Sequence, residues 1–209
     1  MIFYLYGRWN IKKKKVSIRQ KEVFDVIVEI LSEEGMHGLT TTKIAKKMGI
    51  TQPALYRYFK NKDEMLLLFF DELKKKISEI VKNAKDGKTL DAKITILLKS
   101  HFNFIKETKA IPALMFSGYL FKEGDKKRKK MSEIVMYYRG EIENLFRIEK
   151  KFPEDLLPVA SDFVIGVLMS FILRWLYDND FDFSRSLEII LKYLKITLYN
   201  KNYNPDIMI

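Results

Sequence analysis

Thr40-Thr41-Thr42-Lys43-Ile44-Ala45-Lys46-Lys47-Met48-Gly49-Ile50-Thr51-Gln52-Pro53-Ala54-Leu55-Tyr56-Arg57-Tyr58-Phe59 decides the reading of this 209-residue chain. Thr40 can cap a short helix whose inward residues are Ile44, Ala45 and Met48, and Gly49 supplies the left-handed stop of a tight turn. Thr51 can cap the next helix. Pro53 then falls in its first turn, where a missing N–H costs nothing, and Leu55 and Phe59 face inward. Two short helices joined by a glycine turn are either a tight hairpin of a helical bundle or an arrangement that lets the first lie across a DNA backbone while the second puts its leading end into the major groove. The residue chemistry agrees. Thr51 and Gln52 can hydrogen-bond base edges, Ala54 is small enough to meet a thymine methyl, and Tyr56, Tyr58 and Lys62 reach flanking phosphates. The expected DNA-contacting set is Thr40, Thr41, Thr51, Gln52, Pro53, Ala54, Tyr56, Arg57, Tyr58 and Lys62.

Outward from this core the pattern stays helical. Ser17 and Gln20 have capping-box spacing, and Phe24, Ile27, Val28 and Leu31 make one stripe that ends near Gly35. Asn61 with Glu64 opens a longer helix carrying Leu66, Phe69, Phe70, Leu73, Ile77, Ile80 and Val81 on one side. Further helices are expected over Leu90 to Glu107, Ile111 to Phe121, Asp125 to Ile148, Glu154 to Asp178 and Ser184 to Asn200, with breaks at Pro112, Gly124, Pro153 and the turn after Asp178. The arm 1–16 and the tail 202–209 lack periodicity.

The run from Gly38 to Met65 resembles the DNA-binding signature of the TetR (tetracycline-repressor) family. Thr40, Ile44, Ala45, Gly49, Thr51, Leu55, Tyr56, Tyr58, Phe59, Lys62 and Met65 carry the likeness, with Ile50 where valine and Met65 where leucine is usual. The resemblance implies an all-α subunit of about nine helices: an N-terminal three-helix helix-turn-helix domain, then a larger C-terminal helical ligand-binding and dimerisation domain. It also implies a homodimer through the last two helices on double-stranded operator DNA. A small-molecule effector inside the larger domain would swing the fourth helix and pull the two heads out of register with half-sites about 34–36 Å apart. The corresponding division is 1–16 (basic and aromatic arm), 17–64 (helix-turn-helix domain) and 65–209 (regulatory domain).

Composition fits. Lys and Arg number 38 against 27 Asp and Glu, a formal charge of +11, which favours a polyanionic partner, nucleic acid or an acidic lipid surface. Residues 1–64 hold thirteen basic and seven acidic side chains, so the surplus is concentrated there. Cysteine is absent, as suits a reducing cytoplasmic compartment. The apolar start Met1 to Tyr6 precedes its lysines, the wrong order for a secretory signal, and the most apolar stretch, Phe163 to Leu173, is shorter than a bilayer requires, so no membrane span is expected.

Leu156 to Tyr177 is apolar almost all round and needs cover on more than one side; with Leu187, Ile190, Leu191, Leu194 and Leu198 it can be interior core of a monomer or, as the resemblance implies, half of a four-helix interface with a second subunit. The expected effector pocket draws on His101, Phe104, Met115, Phe116, Tyr119, Tyr137, Tyr138, Phe163, Met169, Arg174 and Trp175, with His101, Arg139 and Arg174 as head-group partners. The effector is an apolar or aromatic molecule of unknown identity. No cofactor is called for. Two histidines without cysteine do not build a usual zinc site, Gly87-Lys88-Thr89 lacks the earlier glycine and strand of a phosphate loop, and no catalytic motif occurs, so no enzyme is expected.

The function read from these residues is a sequence-specific transcriptional regulator, a repressor released from its operator by that effector. The alternative is a DNA-binding interaction protein whose C-terminal domain takes a protein partner; a closed internal cavity favours the first and an exposed apolar groove the second. Lys126 to Lys130 reads as a solvated helix start or an anion contact. Lys12 to Lys15 reads as a DNA-following arm or plain disorder, and Phe3, Tyr4, Tyr6 and Trp9 as a membrane-touching or domain-packing cluster.

Overall fold

The computed structural model describes residues 21–115, 117–118, 120, 126–148 and 152–198, with side chains to 193 in the last helix. Among them there is no strand. Helix α1 spans 21–38, α2 Thr41–Lys47, α3 Gln52–Leu55, α4 Lys62–Lys85 and α5 Leu90–Thr108. Then come α6 Ala110–Met115, α7 Lys126–Ile148, a 3-10 turn at Glu154–Leu156, α8 Leu157–Tyr177 and α9 Phe183–Leu198. The arm 1–16, the cap at Ser17 and Gln20, the tail 202–209, Phe116 and Tyr119, and the side chains of Leu194 and Leu198 lie outside the described residues.

Each cap expected within the described residues forms. Thr40, Thr51, Asn61 and also Thr89 sit in extended backbone, and their side chains accept from the amides of Lys43, Ala54, Glu64 and Ala92. These bonds satisfy donors that the first helical turn leaves without partners. Glu64 reaches back to the amide of Lys60, one residue earlier than the usual capping box. Gly49 has φ 65°, the left-handed turn that a Cβ would strain.

Two expectations are corrected. The break placed at Pro112 lies instead at Lys109, whose φ of 49° ends α5; Pro112 sits inside the first turn of α6, where a proline lacks nothing. The third helix is shorter than its apolar spacing suggests: after Leu55 the chain continues as turns in which Tyr58 and Phe59 both donate to the Leu55 carbonyl.

The α4 stripe is buried as read, and α4 packs against both α5 and α7. Phe69 stacks on Phe24 of α1, with centroids 5.3 Å apart, and meets Phe70 edge-on. One buried apolar cluster therefore runs from Val23 to Leu187, without a packing break at residue 64. The unbroken helical stretch Glu154–Tyr177 is long and apolar enough, by length and composition, to cross a bilayer, which the shorter count over Phe163 to Leu173 overlooked. Here α8 packs along α7, burying Leu157, Val164, Leu168, Phe171 and Ile172.

Candidate functional site

The head presents the edge where α2 meets α3. Leu55 and Phe59 are buried and pin α3 to the head, which leaves Thr40, Thr51, Pro53, Tyr56, Arg57 and Tyr58 exposed and Thr41, Gln52, Ala54 and Lys62 half-buried. The Gln52 amide is held in place: its Nε2 donates to Thr41 Oγ1 at 2.9 Å, and Thr42 Oγ1 donates to its Oε1 at 3.4 Å. The Tyr56 hydroxyl also donates to Thr41, at 3.4 Å. An amide fixed this way keeps its second N–H and second lone pair for a base edge, the bidentate pattern that suits adenine. Thr42 was missed in the sequence because its partner lies ten residues away across a turn.

Several lysines of the head are already engaged. Lys43 pairs with Glu34, and Lys47 lies 2.6 Å from Glu29 and 2.9 Å from Glu33, clamping α2 onto α1. Hydrogen bonding to Glu29 raises the Lys47 pKa. Lys62 has the opposite environment: burial is the main cause that lowers its pKa, and Lys127 adds to it against the opposing effect of Asp63. It also stands in the first turn of α4, where a cation opposes the helix dipole, so an arriving phosphate would relieve three costs at once.

The basic run divides. The buried side chain of Lys127 pairs with Asp63 at 2.9 Å and Lys130 pairs with Asp71, so α7 grips the beginning of α4 through these two residues. Lys126 and Lys129 remain exposed.

Behind α4 lies an apolar cavity of about 80 Å³. Leu73 and Ile77 of α4, His101 and Ile105 of α5, and Ile111 and Met115 of α6 line one side. Met131, Ile134, Val135 and Tyr138 of α7 and Ile165, Leu168, Met169 and Ile172 of α8 line the other. Of the pocket residues read from the sequence, the cavity brings together His101, Met115, Tyr138 and Met169. The aliphatic majority was missed because a leucine or isoleucine beside a cavity has the same spacing as one in solid core.

The other pocket candidates lie elsewhere. Phe104 borders an open groove between α1, α4 and α5, and Tyr137 lies under Lys74. Phe163 is exposed, and Trp175 packs edge-on to Phe102. Arg174 pairs with Asp178 at 3.0 Å, and Arg139 with Asp162 at 2.8 Å, so both guanidinium groups are occupied at the surface.

Two of the cavity-lining residues each carry a buried polar atom with no hydrogen-bond partner among the described residues, His101 Nδ1 and the Tyr138 hydroxyl. Their rings meet edge to face, 5.0 Å between centroids. Burial pushes the His101 imidazole down to about 4 and the Tyr138 phenol upward, so both are neutral. Each unpartnered group costs the fold roughly 1–3 kcal/mol.

With this geometry in place, comparison with known proteins assigns the head. The family model "Bacterial regulatory proteins, tetR family" matches residues 23–68, the segment that holds the helix-turn-helix. Over those residues the chain carries this family's DNA-binding head. Among curated relatives, the fatty acid metabolism regulator protein of Bacillus subtilis is 24% identical over 86% of this chain and 95% of its own. A nucleoid occlusion factor SlmA of Aliivibrio fischeri is 29% identical over 73% of this chain and 82% of its own. Among solved structures, the transcriptional regulator FadR from Bacillus subtilis, in complex with stearoyl-CoA, has a TM-score of 0.69 at 22% identity, covering 83% of this chain and 96% of that one. With this head the chain is a helix-turn-helix DNA-binding transcriptional regulator, and TetR regulators act as dimers on operator DNA and answer to small molecules.

Proposed function

We propose that this TetR-family regulator is a cytoplasmic repressor whose head (17–64) is released from operator DNA when an acyl group enters the cavity of its body (65–209). The observation that carries the reading is α4. Leu73 and Ile77 form part of the cavity wall, and Phe69, one turn nearer the head, is stacked on Phe24 of α1. A ligand that displaces the middle of α4 therefore displaces the head. Two heads must fit half-sites about 34–36 Å apart, so a small rotation is enough to lose simultaneous contact.

The ligand class follows from the wall and from the relatives. The lining is aliphatic, methionine and two neutral rings, which suits a hydrocarbon chain. The relatives named above include a fatty acid metabolism regulator and a FadR bound to stearoyl-CoA. The cavity as it stands is small, about 80 Å³, so a short acyl chain suits it and hexanoyl-CoA is the first probe. An apolar cavity walled by residues of five helices suits a small molecule better than a protein partner for this domain.

The test is a binding assay on an operator selected from random duplexes. Gln52→Ala should cost about 1–3 kcal/mol at one base pair and relax preference there, while Lys62→Ala should weaken every sequence and reduce the salt slope by about one. Hexanoyl-CoA should raise the operator dissociation constant of the unsubstituted protein. Equal effects of the two substitutions, or an operator affinity indifferent to every acyl-CoA, would contradict the reading.

The second subunit is proposed to sit on α8 and α9. Val159, Phe163, Gly166, Ser170, Leu173 and Tyr177 are all exposed and recur at alternating spacings of four and three, an apolar stripe with small residues at its centre. A Cβ on Gly166 would meet nothing within 4 Å, so the subunit itself has no need of glycine there, whereas a close helix crossing would use it. Ile189 and Tyr193 extend the exposed surface onto α9. Leu173→Glu and Gly166→Glu, both at exposed positions, should convert the dimer to a folded monomer as measured by light scattering. A mass that stays at two subunits for both variants would move the interface elsewhere.

A further inference from the structure

His101 and Tyr138 stand out within the cavity because every other side chain lining it is aliphatic or methionine. A wall built only to hold hydrocarbon gains nothing from a phenol hydroxyl and an imidazole Nδ1 that lack partners among the described residues. The two rings are adjacent, with centroids 5.0 Å apart, and come from facing helices, α5 and α7. A ligand atom that settles between the two rings would therefore meet both residues.

We propose that the cavity selects ligands bearing a single neutral oxygen on a hydrocarbon chain, with the Tyr138 hydroxyl and His101 Nδ1 recognising that oxygen. This deepens the effector reading of the cavity and rests on it. A carbonyl oxygen accepts from the Tyr138 hydroxyl; a hydroxyl can both accept and donate, because a phenol and a neutral imidazole together offer both capacities. Among the described residues no charged side chain lines the cavity, so a carboxylate or ammonium placed there would meet no counter-charge from them. The neutrality of His101, held by burial, agrees with a ligand that brings no anion. The oxygen can belong to the carbonyl of an acyl thioester or to a hydroxyl or oxo group along a chain, and the two sources share this chemistry.

The test compares 2-hexanone with 2-methyl-1-hexene, a probe of the same shape in which a methylene replaces the oxygen, together with hexanoate and hexanoyl-CoA. Dissociation constants are measured by calorimetry on the full-length protein and on Tyr138→Phe. After correction for each probe's own partition between water and hydrocarbon, the unsubstituted protein should favour the ketone by about tenfold or more. Tyr138→Phe should bind the ketone about three- to tenfold more weakly, keep its affinity for the alkene and unfold at no lower temperature. Hexanoate at neutral pH should bind more weakly than the ketone. Ketone and alkene affinities that simply follow partition, an unchanged ketone affinity in Tyr138→Phe, or tighter binding of hexanoate would each overturn the proposal. The ratio in the unsubstituted protein decides even if the variant does not fold. Ketone selectivity without operator release by hexanoyl-CoA would uphold this recognition and discard the coenzyme reading. Release by hexanoyl-CoA that is equal in Tyr138→Phe would do the reverse.

Discussion

Phe69→Ala is expected to cost about 3–5 kcal/mol of unfolding free energy, because the side chain is 1% exposed and the space it leaves is walled by other rings. Phe69 stacks at 19° on Phe24 of α1 and meets Phe70 at 73°, so neither neighbour can fill the gap without turning its own ring. The loss has a functional side. Phe69 lies one turn from Leu73 of the cavity wall and directly beneath α1, so its removal loosens the joint through which α4 would carry the head. Urea unfolding followed by circular dichroism should show the midpoint falling steeply for Phe69→Ala and much less for Phe69→Leu, which keeps most of the volume. A cost below about 1 kcal/mol for the alanine variant would mean that the site collapses freely and that the head is not fastened here.

The second large effect is acid sensitivity centred on His101. Its folded-state pKa of about 4 lies below the ordinary 6.5, through burial, so the unfolded chain binds the proton first as pH falls. The native state therefore keeps its full stability above pH 6.5 and loses it progressively between about 6.5 and 4, by about 3 kcal/mol in total for this one group. Carboxylates add their own acid dependence at the lower end, so the quantity to read is the difference between two curves. His101→Phe, which keeps a ring against Tyr138 but cannot take a proton, should show a flatter dependence of unfolding free energy on pH across that window. Parallel curves for the two proteins would show that His101 is already solvated or partnered in the native state.

The two residues also differ in how far their surroundings are legible in the sequence. Phe69 belongs to a stripe of spacing three and four that begins at Leu66, and the stripe alone marks it as buried. His101 stands out in the sequence as one of two histidines and a polar candidate among aromatic neighbours, and nothing beside it says whether it faces solvent, a carboxylate or a cavity. Tyr137 and Tyr138 make the same point on one helix. About 100° of rotation separates adjacent residues, so one ring meets Lys74 and the other the cavity, although both read alike as aromatic residues of α7. Arg139 and Arg174 read as ligand partners until Asp162 and Asp178 are seen beside them.

What the residues determined by themselves is whatever closes within about four positions: the caps at Thr40, Thr51 and Asn61, the left-handed turn at Gly49, the stripes of α1 and α4, and with them the helix-turn-helix. A cap or a stripe is an interaction between near neighbours along the chain, so its geometry is already implied by spacing. The tertiary structure alone decided which sides of α5, α7 and α8 surround the cavity, that Lys127 holds Asp63, and that one face of α8 is left uncovered. Those outcomes depend on the angles at which separate helices cross, and such angles are set by the packing of whole faces brought together from distant parts of the chain.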